Sequence, residues 1–161
     1  YVLMTSHRPA TVDNKKNLET VLSAVDELAK KHDKKIIFPI HPRTKKMIED
    51  FGIKLSERYI IIEPIGYLDM LVLKGDSFMI VTDSGGLQEE SCILKKKCAV
   101  IRENTERPEA VDVGGCVLVG NSDGKKINDK IEELLKRDVE WSNPFGDGSA
   151  GKEIIELILS N

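Results

Sequence analysis

The sequence predicts an α/β fold, a Rossmann-like parallel sheet with helices on both faces, and three observations point to it. Six short apolar runs alternate with amphipathic stretches along the whole chain. The runs read as continuously apolar rather than alternating, as strands buried on both faces do. The unusual polar residues gather just after the runs, where right-handed crossovers place the ligand loops of such a sheet.

The elements follow in order. Residues 1–5 read as a strand, and Leu18, Val21, Leu22, Val25, Leu28 and Ala29 then recur at helical spacing. Asp33-Lys34-Lys35 breaks that helix, and residues 36–40 form a second buried strand. A short helix over 45–51 is closed by Gly52, a residue suited to a helix C-terminus. The β-branched run 59–62 is the third strand. A helix over 67–73, ended by Gly75, leads to a fourth strand at 78–82 and a helix at 85–97. Residues 98–101 and 116–119 supply two more strands, with a brief helix begun by Pro108 between them. Ile127, Ile131, Leu134 and Leu135 mark an amphipathic helix. A loop holding Asn143-Pro144-Phe145-Gly146-Asp147-Gly148 precedes a last helix at 152–159.

The bulk numbers bound the function. A chain of 161 residues suits one domain, and 40% hydrophobic with 32% charged residues supports both a core and a hydrated surface. A formal net charge of -3 offers no basic footprint for nucleic acid or a membrane surface. No apolar run approaches the roughly 20 residues of a bilayer span. Cys92, Cys98 and Cys116 are odd in number and lack a CxxC pair, so they read as small core residues of a reduced, cytoplasmic protein. The chain opens inside a strand without an initiator Met, which reads as a piece of a longer protein.

The strand-end loops carry the chemistry. They hold Ser6-His7-Arg8, His41-Pro42-Arg43, Glu63-Pro64-Ile65-Gly66-Tyr67, Asp83-Ser84-Gly85-Gly86 and the polar run from Arg102 to Glu109. Two glycines at a strand-to-helix turn let a phosphate approach the backbone, and the first helix N–H groups face it at the positive dipole end. Ser84 adds a hydroxyl. The same motif also serves as a plain helix cap. Glu90, one helical turn in, is placed to accept from ribose hydroxyls, although a solvated helix face would carry it equally well. Arg8, Arg102 and Arg107 offer forked donors to phosphate, and His7 and His41 offer imidazole donors. No grouping has metal-site spacing, and no nucleophile elbow is present.

Five segments, in this order, resemble one family: Ser6-His7-Arg8; His41-Pro42; Thr82 through Glu90; Arg102 through Glu109; and Asn143 through Gly148. Together they resemble the C-terminal half of the non-hydrolysing UDP-N-acetylglucosamine 2-epimerases. The resemblance spans residues 1–161 as a single UDP-sugar-binding domain, the second half of a two-domain architecture like the GT-B glycosyltransferases. It implies interconversion of UDP-GlcNAc and UDP-ManNAc by elimination and re-addition of UDP. It assigns His7 a catalytic role near the departing phosphate. It assigns Arg8, His41, Ser84, Gly85, Gly86 and Glu90 to the nucleotide, with Ile65 and Tyr67 at the uracil. It implies no cofactor and no metal, a homodimer, a cytoplasmic setting and service to cell-surface polysaccharide synthesis. The carboxylates acting at C2 would belong to an N-terminal domain outside this chain.

Pro9-Ala10-Thr11 stand where the family has Glu and Asn two and three residues after the Arg, and Thr11 is then expected to cap the next helix. A hydrolysing 2-epimerase releasing free ManNAc, a GT-B glycosyltransferase and a non-catalytic UDP-sugar-binding module are the alternatives. The loop Thr105-Glu106-Arg107-Pro108-Glu109 favours the epimerases over the transferases.

Overall fold

The computed structural model describes residues 1–160. Six parallel strands, β1 (Val2–Met4), β2 (Ile36–Pro39), β3 (Tyr59–Ile62), β4 (Met79–Thr82), β5 (Cys98–Val100) and β6 (Cys116–Leu118), form one sheet in the order β3-β2-β1-β4-β5-β6. The chain winds outward from β1 to β3, crosses back, and winds the other way from β4. That reversal leaves a crevice at the carboxyl ends of β1 and β4, where sheets of this kind bind ligands.

Strand residues alternate between two cores. Val2, Met4, Met79, Val81, Ala99 and Ile101 face one side, packed with α2 (Lys15–Lys31), α3 (Pro42–Asp50) and α7 (Gly124–Leu135). Leu3, Ile80, Cys98, Val100 and Cys116 face the other, with α4 (Tyr67–Asp76), α5 (Gly85–Ile93) and α6 (Pro108–Asp112). Trp141 closes this second core, its Nε1 donating to Cys92 O at 3.0 Å. The three cysteines are buried thiols here.

The structure corrects several details. Residues 9–12 form a short helix, α1 (Pro9–Val12), and the next helix is capped by Asn14, whose Oδ1 accepts from Asn17 N at 3.1 Å. Thr11 is therefore not the cap: it is buried within α1, and its hydroxyl accepts from Asn121 Nδ2 at 2.9 Å. The short helix expected at 45–51 begins at Pro42, with His41 as its cap. The helix expected to reach Lys97 ends at Ile93, because Lys95 turns the chain with φ 57°. The strand β3 is an edge strand, with Ile60 and Ile61 exposed, so burial on both faces does not extend to it. The last helix, α8 (Ala150–Leu159), holds no buried residue, and its apolar side chains are 56–79% exposed. Among the described residues no helix is long and apolar enough to cross a membrane.

Gly120, just after β6, ties back to Arg102 O through its N–H at 3.2 Å and has φ 75°. A Cβ there would also collide with the Glu103 carboxylate. Gly120→Ala is expected to destabilise the domain by about 1–2 kcal/mol from the left-handed backbone alone. Thermal melting would register this as a drop of a few degrees; an unchanged midpoint would contradict the geometry.

Candidate functional site

The crevice is built around one carboxylate. Asp83, immediately after β4, is fully buried. Its Oδ2 accepts from the backbone N–H groups of His7 and Arg8, both at 2.7 Å, and from the Ser6 hydroxyl at 3.2 Å. The hydroxyls of Thr5 and Thr82 meet at 2.6 Å beside it. A buried carboxylate needs this many partners, and in obtaining them it folds the loop after β1 into one shape.

The second Asp83 oxygen stands 2.9 Å from His7 Nδ1. It lacks a well-aligned hydrogen bond, so the contact is chiefly electrostatic. The adjacent carboxylate raises the His7 pKa above its ordinary 6.5, outweighing the opposite pull of partial burial and of Arg8. Burial pushes Asp83 upward, but His7 and the two backbone N–H groups hold it below 3.8. Both shifts favour the ion pair. With Nδ1 turned to Asp83, Nε2 is the ring nitrogen available to a ligand.

His41 caps α3, its Nδ1 accepting from Arg43 N at 3.1 Å, so a neutral ring carries its proton on Nε2. Its ring lies 5.9 Å from that of His7. His7, His41, Ile65, Met70, Ser84 and Leu87 line one side of the crevice, around a cavity of ≈ 180 Å³. Arg8 and Arg102 line a neighbouring hollow of ≈ 460 Å³ with Asn17, Asn104 and Asn121. A larger groove of ≈ 660 Å³ lies between α2 and α7. It gathers none of the strand-end residues named above.

Ser84 is the N-cap of α5, with its Oγ accepting from Leu87 N at 3.4 Å and its carbonyl accepting from Gln88 N at 3.3 Å. The cap reading is thus real, yet it does not explain the glycines. Neither Gly85 nor Gly86 has a positive φ. A Cβ at either would meet its nearest neighbour at 3.9 and 4.0 Å, an ordinary contact. Among the described residues nothing requires glycine at these two positions. What the missing side chains leave open is the approach from outside to the first N–H groups of the helix.

The arginines are engaged. Arg102 forks onto Glu106 at 2.6 and 2.9 Å, and Arg8 stands 3.7 Å from the same carboxylate. Arg102, assisted by a backbone hydrogen bond, lowers the Glu106 pKa to about 2. Arg107 pairs with Glu89, and its backbone N–H donates to Thr105 Oγ1 at 3.0 Å. Thr105 in turn donates to buried Gln88, whose Nε2 donates to Ser84 O at 3.1 Å. Gln88, part of the motif from Thr82 to Glu90 but given no role by the sequence alone, therefore ties the 102–107 loop to the glycine turn. Arg43 leaves the crevice to pair with Asp13, its Nε 2.8 Å from Oδ1. Glu90 does not lie on a solvated face: its carboxylate accepts from the ammonium of Lys74, a fully buried side chain whose Nζ lies 5.3 Å from the Tyr67 ring centroid.

A family model described as UDP-N-acetylglucosamine 2-epimerase matches residues 1–159. The chain belongs to this family. A UDP-N-acetylglucosamine 2-epimerase of Methanococcus maripaludis is 47% identical over 99% of this chain and 44% of its own length. The crystal structure of the Methanocaldococcus jannaschii UDP-GlcNAc 2-epimerase in complex with UDP-GlcNAc and UDP matches with 44% identity and a TM-score of 0.91, over 100% of this chain and 45% of that one. The enzyme from Neisseria meningitidis bound to UDP-GlcNAc matches with 34% identity and a TM-score of 0.83, over 99% and 44%. The chain thus spans somewhat under half the length of these epimerases. The GT-B-like, Rossmann-type architecture expected from the sequence is the one these epimerases share.

The pH behaviour of the His7–Asp83 pair follows from its shifts. His7 is raised, so its contribution to stability is fully present below 6.5 and is lost as pH climbs through the raised value. Asp83 is lowered, so its contribution is present above 3.8 and is lost as pH falls through the depressed value. The pair is most stabilising between these limits. An NMR titration of the His7 ring should give a midpoint above 6.5; a midpoint at or below it would remove the pairing.

Proposed function

We propose that the chain is the nucleotide-binding half of an epimerase that interconverts UDP-GlcNAc and UDP-ManNAc. The C1–O bond breaks as a base removes the C2 proton, giving UDP and a 2-acetamidoglucal. UDP then re-adds at C1 as C2 is protonated from the opposite face. The C2 acid–base groups are assigned to an N-terminal half outside this chain. The observation that carries the reading is the glycine pair at the head of α5, which no internal constraint explains and which leaves helix N–H groups open to a diphosphate. The named ligands of the two solved relatives support the same assignment.

On this reading His7 works at the departing phosphate. Asp83 favours the imidazolium, which can donate from Nε2 as charge builds on the UDP oxygen. Arg8, with Arg102 and Arg107 on the adjoining loop, supplies positive potential, His41 an imidazole donor, and Glu90 an acceptor for the ribose. Ile65 and Tyr67 border the uracil. A cytoplasmic homodimer serving cell-surface polysaccharide synthesis, with no cofactor, completes the proposal.

UDP is expected to bind the full-length protein without metal. Calorimetry with and without EDTA checks this, and binding abolished by EDTA would contradict it. Product analysis with UDP-GlcNAc separates the reactions: UDP-ManNAc supports the proposal, ManNAc plus UDP indicates hydrolysis, and dependence on an acceptor sugar indicates a transferase. In the full-length enzyme, His7→Ala should lower kcat and kcat/KM by ~10²–10⁴-fold with KM little changed, because the interaction grows in the transition state. A variant with normal kcat would take His7 out of the chemistry. Weaker UDP binding and a lower melting point, with turnover lost in proportion, would instead mark it as a structural residue.

A further inference from the structure

The proposed role of Glu90 leaves Lys74 unexplained. Lysine is among the side chains least often fully buried, yet Lys74 is 0% exposed, on the last turns of α4. Its ammonium has two partners in the described structure, the Glu90 carboxylate and the face of Tyr67 at 5.3 Å. Glu90 is 26% exposed, so the pair has a dry end at Lys74 and a wet end at the Glu90 carboxylate. Glu90 stands about one turn beyond Gly86, in the first turn of the helix, and three residues beyond Leu87, which borders the cavity.

The hydrogen bond is taken up by one oxygen, Glu90 Oε2. A glutamate left to itself samples several rotamers; one fixed by a buried cation presents its other oxygen in a single direction. We infer that Lys74 is a positioning residue for nucleotide binding: it locks Glu90 so that the second carboxylate oxygen faces the ribose hydroxyls. Tyr67, seated over the same ammonium, joins the uracil side of the site to the ribose side through Lys74. The inference rests on the reading of Glu90 as the ribose acceptor. It adds to that reading a cause for the carboxylate's orientation, lying on the neighbouring helix α4.

A purely structural alternative is that the pair only staples α4 to α5. A structural staple, if loosened, would weaken all nucleotides alike. A positioning role weakens only ligands that carry the ribose diol.

The test uses the full-length protein, Lys74→Met, Glu90→Gln and the double variant, with calorimetry of UDP and of 2′,3′-dideoxy-UDP. Methionine matches the apolar stem of lysine and drops only the ammonium, and replacing one member of a buried pair is judged alongside melting temperature. Glu90→Gln should weaken UDP by about 10–100-fold, as loss of a charge-assisted hydrogen bond does, and leave the dideoxy ligand nearly unaffected. Lys74→Met should weaken UDP by about tenfold, again sparing the dideoxy ligand, in line with losses seen when an outer partner of a ligating group is removed. In the Glu90→Gln background, Lys74→Met should cost nothing further.

Equal losses for both ligands in Lys74→Met, with Glu90→Gln still selective, would overturn the positioning role and leave the ribose assignment standing. Equal losses in Glu90→Gln would overturn the ribose assignment and the inference with it. If Lys74→Met does not fold, Lys74→Gln takes its place in the same cycle, and additivity with Glu90→Gln overturns the inference.

Discussion

The buried carboxylate of Asp83 is the constraint from which the site is built. It sits at the end of β4, yet most of its partners lie on the loop after β1, more than seventy residues away in sequence. Two backbone N–H groups and a serine hydroxyl converge on one oxygen, and a histidine ring covers the other. Loss of the carboxylate would leave those donors buried and unmatched, at about 1–3 kcal/mol each. The loop therefore has one conformation, which places His7 and Arg8 beside the glycine turn. Electrostatics then couples structure to chemistry: the acid that shapes the loop is also the acid that raises the histidine's proton affinity.

The sheet supplies what the carboxylate needs. Strand reversal between β1 and β4 puts two loops distant in sequence at one edge. Period-two alternation sends Leu3 and Ile80 to one core and Val2, Met4, Met79 and Val81 to the other, fixing the register of the strand ends. A slip of one residue on either strand would exchange these sets and move Asp83 off the loop it organises.

Much of this was legible in the sequence, and the rest was hidden for identifiable reasons. Continuous apolar runs revealed the strands, and helical spacing from Leu18 to Ala29 revealed α2. Strand ends with Ser-His-Arg, His-Pro and Asp-Ser-Gly-Gly marked the crevice, and His7, His41, Ile65 and Ser84 do line one cavity. The role of Asp83 was hidden because its motif suggests a helix cap, whereas Ser84 does the capping and Asp83 reaches across to another strand. The partners of Arg102, Arg107 and Glu90 were hidden because the pairing of long charged side chains depends on how loops pack, not on spacing. Lys74 lies just past the helix expected at 67–73 and nothing in the spacing marks it; its burial beside Glu90 of α5 is a matter of tertiary packing. The edge position of β3 was likewise unreadable, since Tyr59-Ile60-Ile61-Ile62 has the composition of a central strand and topology alone exposes it.

The site divides into a rigid part and an adjustable part, and the division follows burial. Asp83, Thr82 and Gln88 are fully buried and hydrogen-bonded, so the positions of His7 and of the α5 N-terminus are set before any ligand arrives. Such groups stabilise developing charge without reorganising. Glu106 is exposed and held by Arg102 and Arg8, and it lies close to Gly85. A surface ion pair in high dielectric contributes little to stability and exchanges partners readily. On the nucleotide reading, an incoming diphosphate competes with Glu106 for the same two guanidinium groups, and the exchange is between one anion and another of higher charge. On that reading the exposed carboxylate would hold the two arginines together and would yield them to a phosphate without disturbing the buried frame beneath.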